Sequence, residues 1–152
     1  MAAAKFLFPP VKTAPISWVA KLGPHCKLGV HQENGWCGEV QDQIVYFDSE
    51  KKCMFLLPVL ELDRAVFFQT LEKFRTELGD LRTSFPESLL LLHAVRADVS
   101  EYWIGKAVDW MEQDGRPYAR IESDLLEILK TKNLSQKMAS RFKKLSAKNS
   151  LA

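Results

Sequence analysis

The segment HQENGWCGEV, positions 31–40, contains a histidine and a cysteine, two residue types that are suited to catalysis. A cysteine nucleophile needs a nearby base, usually histidine, and His31 or His93 is available to serve Cys37 in that role. The Asn34–Gly35 pair, however, is typical of a tight turn, and the alternation after it places Cys37 in a β-strand. A buried cysteine usually behaves as a small hydrophobic residue. We therefore predict a hairpin here and no catalytic residue, with a small Cys-dependent enzyme as the least favoured hypothesis.

Four possible metal ligands fall in the same region: His25, Cys26, His31 and Cys37. Zinc sites usually combine two close pairs of ligands, with about two to four residues between the members of a pair. The steps between these four residues are one, five and six positions, which fits no such pattern. The chain also has no glycine-rich phosphate-binding motif. The sequence therefore predicts neither a metal site nor a cofactor.

Acidic residues are concentrated between residues 98 and 127, where eight acids stand against three bases. Such a stretch on helical faces can steer a basic partner protein at a high association rate. If a protein partner binds here, the exposed acids expected to contact it are Asp109, Glu112, Asp114, Glu122 and Asp124.

Basic residues dominate the C-terminal segment, which has seven bases and no acid from Lys130 onward. Four of them recur at helical spacing on one stripe and form a candidate nucleic-acid-binding site: Lys137, Arg141, Lys144 and Lys148. The alternative is that this helix leans on the acidic stretch and neutralises it. The net charge of +2 favours nucleic acid only weakly.

Length and composition place the chain among globular proteins of one domain. It has 152 residues, 47% hydrophobic and 26% charged. Three cysteines are too few, and odd in number, for a disulfide framework, which favours a reducing compartment. The sequence shows no convincing signal peptide and no apolar run long enough to span a membrane. We expect a cytoplasmic protein without membrane partners.

The period of the apolar residues changes once, near residue 60. Before it, short apolar runs at 16–22, 36–40, 43–48 and 53–59 predict an antiparallel meander of three to four strands. After it, a spacing of three and four predicts four or five helices packed on the meander, including 121–132 and 133–149. Asp63 is expected to cap the first of these helices. The fold class is therefore α+β. Residues 1–15 are expected to form a loose N-terminal arm, 16–149 a single α+β domain and 150–152 a tail.

These patterns favour a non-enzymatic protein-binding module, such as an inhibitor, immunity or adaptor protein. The alternative is a nucleic-acid-binding protein that uses the basic C-terminal helix. Both hypotheses rest on charge patterning, which indicates a kind of surface and does not identify the partner.

Overall fold

The computed structural model describes residues 4–96, 100–114, 127 and 134–151, and it places the strands before the helices. A five-stranded antiparallel sheet is followed by a 3-10 helix and α-helices, so the fold is α+β, in one domain. The strands neighbour one another in chain order, β1-β2-β3-β4-β5. Their bounds are β1 Ala4–Thr13, β2 Ile16–Leu22, β3 Cys26–His31, β4 Gly35–Val40 and β5 Gln43–Tyr46.

The N-terminal segment is the main difference from the expected architecture. The prediction of a loose arm over 1–15 is wrong for residues 4–13, which form β1 and pair with β2. Phe6 anchors this strand, since its ring lies 5.8 Å from that of Phe67, between ring centroids. Pro9 and Pro10 fall in the shift of register between Phe6 and Val11, where the ladder does not require their missing N–H groups. Residues 26–31, for which no strand is predicted, also form one, β3. With β1 and β3 added, the meander has five strands and not three or four.

The helical part begins directly after the sheet. Its described elements are the 3-10 helix Lys51–Glu61, α1 Arg64–Glu72, α2 Arg75–Leu78, α3 Leu81–Ser84, α4 Glu87–Arg96, α5 Glu101–Asp114 and α6 Gln136–Leu151. The expected helix over 121–132 lies outside the described residues. Asp63 caps α1 as its position predicts, because its carboxylate accepts a hydrogen bond from the Val66 N–H at 3.1 Å.

The predicted fourth strand, residues 53–59, is instead part of the 3-10 helix. Its buried residues include Cys53, Leu56, Leu57 and Leu60, which follow helical and not alternating spacing. A short apolar run does not by itself distinguish a strand from a buried helix. Pro58 then sits in a helix and not at a sheet edge.

The core lies between one face of the sheet and the helices. Trp110 of α5 is fully buried there, and its Nε1–H donates to the Leu62 carbonyl at 3.0 Å. The ring of Phe67 packs against Trp110 at 5.6 Å and against Phe85 at 4.9 Å, between centroids. This aromatic packing fixes the described helices on one side of the sheet, and the opposite side is here called the outer face.

Candidate protein-binding face

The outer face carries one apolar row that crosses all five strands. Residues directly opposite one another in antiparallel strands have their side chains on the same face. The register places Val11, Trp18, Gly29, Cys37 and Tyr46 side by side in this way. Trp18 and Cys37 belong to a small apolar cluster that is separate from the main core, and Tyr46 packs against it. Gly29 lies directly beneath the Trp18 ring.

Trp18 is the largest side chain of this cluster and covers Gly29. Its Nε1–H donates to the Thr13 hydroxyl at 2.8 Å, which fixes the indole ring. The ring lies so close over Gly29 that a Cβ atom there would stand 2.6 Å from Trp18 Cε3. Glycine is therefore required on β3 for the ring to lie flat on the sheet.

Cys37 lies in this cluster and is fully buried. Its place in β4, after the turn at residues 32–34, confirms the predicted hairpin. The turn uses His31, whose Nδ1 accepts hydrogen bonds from the N–H groups of Glu33 and Asn34 at 3.0 and 3.1 Å. His93 belongs to α4 and is buried with the helices, on the opposite side of the sheet. His93 is thus separated from the Cys37 thiol by the sheet, and the Nδ1 atom of His31 is occupied by the amides of the turn.

Burial also works against thiolate chemistry. It raises the pKa of the Cys26 and Cys37 thiols to about 11, and that of Cys53 to about 12, where Glu50 and Asp48 add to the effect. A cysteine nucleophile needs the opposite, a depressed pKa.

The raised thiol pKa values predict an alkaline loss of stability. A group with a raised folded-state pKa contributes stability that is fully present below its unfolded pKa and is lost as the pH rises through the folded value. We expect the free energy of unfolding to fall from about pH 9 towards about pH 11. Urea unfolding at several pH values measures this. The double variant Cys37→Ala/Cys53→Ala should show a shallower fall, and an equal fall would contradict the assignment to the thiols.

A second row on the outer face is charged. It consists of Lys5, Lys21 and Lys27 on β1, β2 and β3, followed by Glu39 on β4 and Ile44 on β5. All three lysines are exposed. We call these three residues the lysine row.

The lysine row is electrostatically unfavourable within the chain. Directly opposite side chains are separated by about 5 Å at Cβ, where like charges destabilise a sheet. Among the described residues, none of the three forms an ion pair, whereas Lys12 on β1 lies 3.5 Å from Glu77. Glu39, directly opposite Lys27, offsets part of the repulsion at that end of the row, so Lys5 and Lys21 are the least compensated. The ammonium of Lys27 lies 6.0 Å from the centre of the Trp18 ring, at the limit of a cation–π contact.

An open cleft of about 490 Å³ adjoins the lysine row at one end of the sheet. It lies between the β2–β3 turn and the β4–β5 turn, and Lys21, His25 and Lys27 line it on the basic side. Glu39 and Asp42 line it on the other side. The cleft therefore continues the change of charge sign that the row shows on the flat face.

The residues predicted from charge patterning lie elsewhere, and some of them contact each other. Nη2 of Arg141 donates to carboxylate oxygens of Asp109 and of Glu112, each at 2.6 Å. The predicted acidic site and the predicted basic stripe thus meet in one ion-pair network between α5 and α6. Glu122 and Asp124 lie outside the described residues, as do the side chains of Asp114 and Lys148.

The remaining predicted bases lie on α6. Lys137 and Lys144 are exposed there. The buried side chains Met138, Phe142 and Leu145 hold this helix to the body of the protein. Its basic stripe is therefore interrupted at Arg141, whose charge is already paired.

Comparisons with known sequences and structures assign no family to this chain. No protein-family model, curated protein or solved structure matches this chain. In the described part of the chain, no group of three or more His, Cys, Asp or Glu side chains is arranged to hold a metal ion. Across the same residues, no helix has the length and apolar character needed to cross a membrane.

Proposed function

We propose that this protein is a non-enzymatic module that binds a partner protein through the outer face of its sheet. The observation that carries this proposal is the lysine row, three exposed lysines placed directly opposite one another, of which only Lys27 has an acidic residue, Glu39, opposite it on its other side. An acidic segment of the partner would remove the repulsion between them. Binding would then be favoured by two terms, the attraction between opposite charges and the loss of repulsion between the lysines.

The charge sequence of the row favours a protein over a nucleic acid. Three bases are followed by Glu39 and then by the exposed Ile44, across a single line of side chains. A polypeptide can match this pattern with acids, then a base, then an apolar residue. A nucleic acid is uniformly negative and would bring a phosphate towards Glu39. Trp18 is only 5% exposed, so it offers no open ring on which a base could stack.

The earlier candidates are less well supported as binding surfaces. Asp109 and Glu112 belong to the predicted acidic site, and Arg141 belongs to the predicted nucleic-acid-binding stripe. Their ion pairs give each of these charges a partner within the chain. The roles of inhibitor, immunity and adaptor protein all remain compatible with the proposal, because each requires a partner-binding face and no chemistry.

Fluorescence anisotropy with designed probes tests the proposal. The first probe is a peptide with a run of glutamates followed by a lysine and a leucine, and the second is a single-stranded oligonucleotide of equal charge. We expect the peptide to bind more tightly. The triple variant Lys5→Glu/Lys21→Glu/Lys27→Glu should weaken its binding by at least about tenfold, which corresponds to roughly 1.4 kcal/mol.

A matched control separates the site from the overall charge. The triple variant Lys73→Glu/Lys137→Glu/Lys144→Glu makes the same change in net charge at exposed positions on the helices. It should leave peptide binding within about twofold of the original protein, because solvent-exposed charges more than about 10 Å away are screened at ordinary salt. Equal losses in both triple variants would contradict a specific face. Tighter binding of the oligonucleotide, with a steep salt dependence, would favour the nucleic-acid alternative.

A further inference from the structure

Strand β5 is the last strand of the sheet among the described residues, and the register shows which of its backbone groups point away from β4. A two-residue turn, Gln41–Asp42, joins β4 to β5 and pairs Val40 with Gln43. The residues that flank such a turn form a hydrogen-bonded pair, and this pattern repeats at every second residue. The Phe47 N–H donates to the Trp36 carbonyl at 3.2 Å, which is the bond expected if every second residue of β5 is bonded to β4. The N–H and C=O groups of Ile44 and Tyr46 therefore point away from β4.

These outward groups are available for pairing. Among the described residues, no backbone hydrogen bond beyond the sheet ends on Ile44 or Tyr46. Ile44 is 41% exposed and Tyr46 is partly exposed, and both side chains lie on the outer face. An exposed edge with apolar side chains at alternate positions is the feature that proteins use to take up an extended segment as an additional strand.

The flanking charges decide which segment fits. Asp42 precedes the strand and Asp48 follows it, and of these two only Asp48 forms an ion pair within the described residues, with Lys52 at 3.0 Å. In a symmetric antiparallel pairing of two copies through the outward groups, Ile44 lies opposite Tyr46. The same register places Asp42 of each copy opposite Asp48 of the other, so two carboxylates meet at each end and Lys52 compensates only one of them. A second copy of this chain is therefore disfavoured as the occupant.

We infer that β5 is a strand-addition site for an extended segment of another protein, with apolar residues at alternate positions and a lysine or arginine near each end. Main-chain hydrogen bonds to Ile44 and Tyr46 would supply affinity, and the flanking aspartates would select basic ends. This site shares the Ile44 side chain with the face of the proposed function, but it does not need the lysine row, because its hydrogen bonds are made by the backbone at the outer edge of β5.

Two short peptides with the same alternating threonine and valine centre test this inference. One has lysine at both ends and the other has glutamate. We expect the lysine-flanked peptide to slow hydrogen exchange at the Ile44 and Tyr46 amides, as measured by NMR, and to bind about tenfold more tightly than the glutamate-flanked one. Equal affinities, or protection confined to other strands, would overturn the inference.

Variants separate this site from the lysine row and from self-association. Ile44→Pro removes an outward N–H and leaves the bonds to β4, so it should abolish the protection at Tyr46. Should that variant unfold, Asp42→Asn/Asp48→Asn tests the same point, since it should remove the preference for lysine-flanked ends. Lys21→Glu should leave peptide addition unchanged, and a loss there would overturn the independence of the two sites. Sedimentation of the free protein as a dimer sensitive to Ile44→Pro would assign the edge to a second copy and overturn the inference.

Discussion

Gly29→Ala is expected to lower the free energy of unfolding by about 3 kcal/mol, the upper range for overpacking a well-filled site. A Cβ atom at this position meets Trp18 Cε3 at 2.6 Å, Ile16 Cγ2 at 2.9 Å and the Ser17 carbonyl oxygen at 2.9 Å. The first two contacts are with side chains, but the third is with the backbone of β2. Relief therefore requires β2 and β3 to separate locally or the Trp18 ring to leave the sheet.

The same substitution should expose Cys37, because the cluster that buries this thiol includes the displaced tryptophan. Alkylation of Cys37 under native conditions and urea unfolding measure the two effects together. The matched control is Gly105→Ala in α5, where the nearest atom is the flexible end of Met138 at 3.4 Å. Alanine has a higher helix propensity than glycine, so the free energy of unfolding of that variant should be unchanged or higher by up to about 1 kcal/mol. Equal behaviour of the two variants would contradict the close packing of Trp18 over β3.

Lys21→Glu is expected to raise the free energy of unfolding by about 1 kcal/mol, a gain that follows from two cross-strand pairs. Lys21 lies between Lys5 and Lys27, directly opposite both. A glutamate in this place converts two repulsions into two attractions. Urea unfolding at low salt measures the gain, which should shrink as salt screens the exposed charges.

The neutral variant Lys21→Gln separates the loss of repulsion from the gain of attraction. It removes both repulsions and adds no attraction, so it should give roughly half the gain of Lys21→Glu. A loss of stability in both variants would mean that the Lys21 side chain stabilises the sheet, and that the lysine row is not a strained arrangement.

Local patterns predicted those parts of the fold that depend on neighbouring residues. The strand position of Cys37 and the cap at Asp63 each follow from a few residues and are confirmed, and the turn signalled by Asn34 and Gly35 lies at residues 32–34, with Gly35 opening β4. The 3-10 helix was missed because an apolar run satisfies both periods, although Cys53, Leu56 and Leu60 already follow the helical one. Strand β1 was missed because its prolines suggest a loop, while the packing of Phe6 on the helices decides its structure.

The candidate site was beyond prediction because it depends on register. Lys5, Lys21 and Lys27 lie on three different strands, and each is an ordinary exposed residue in its own strand. A shift of register by one residue moves a side chain to the opposite face. The pairing of β2 with β3 contains such a shift between Trp18 and Ala20, which no local pattern encodes. Charge patterning instead indicated α5 and α6, where Arg141 joins Asp109 and Glu112.

The most direct test of the protein-binding face measures two properties of Lys21→Glu in one preparation. These are its affinity for the glutamate-run peptide and its free energy of unfolding. The account predicts opposite changes, an affinity at least about tenfold weaker in a protein that is more stable by about 1 kcal/mol. An unchanged affinity, or a joint fall in affinity and stability, would contradict the proposal that the lysine row is retained for binding at the expense of the fold.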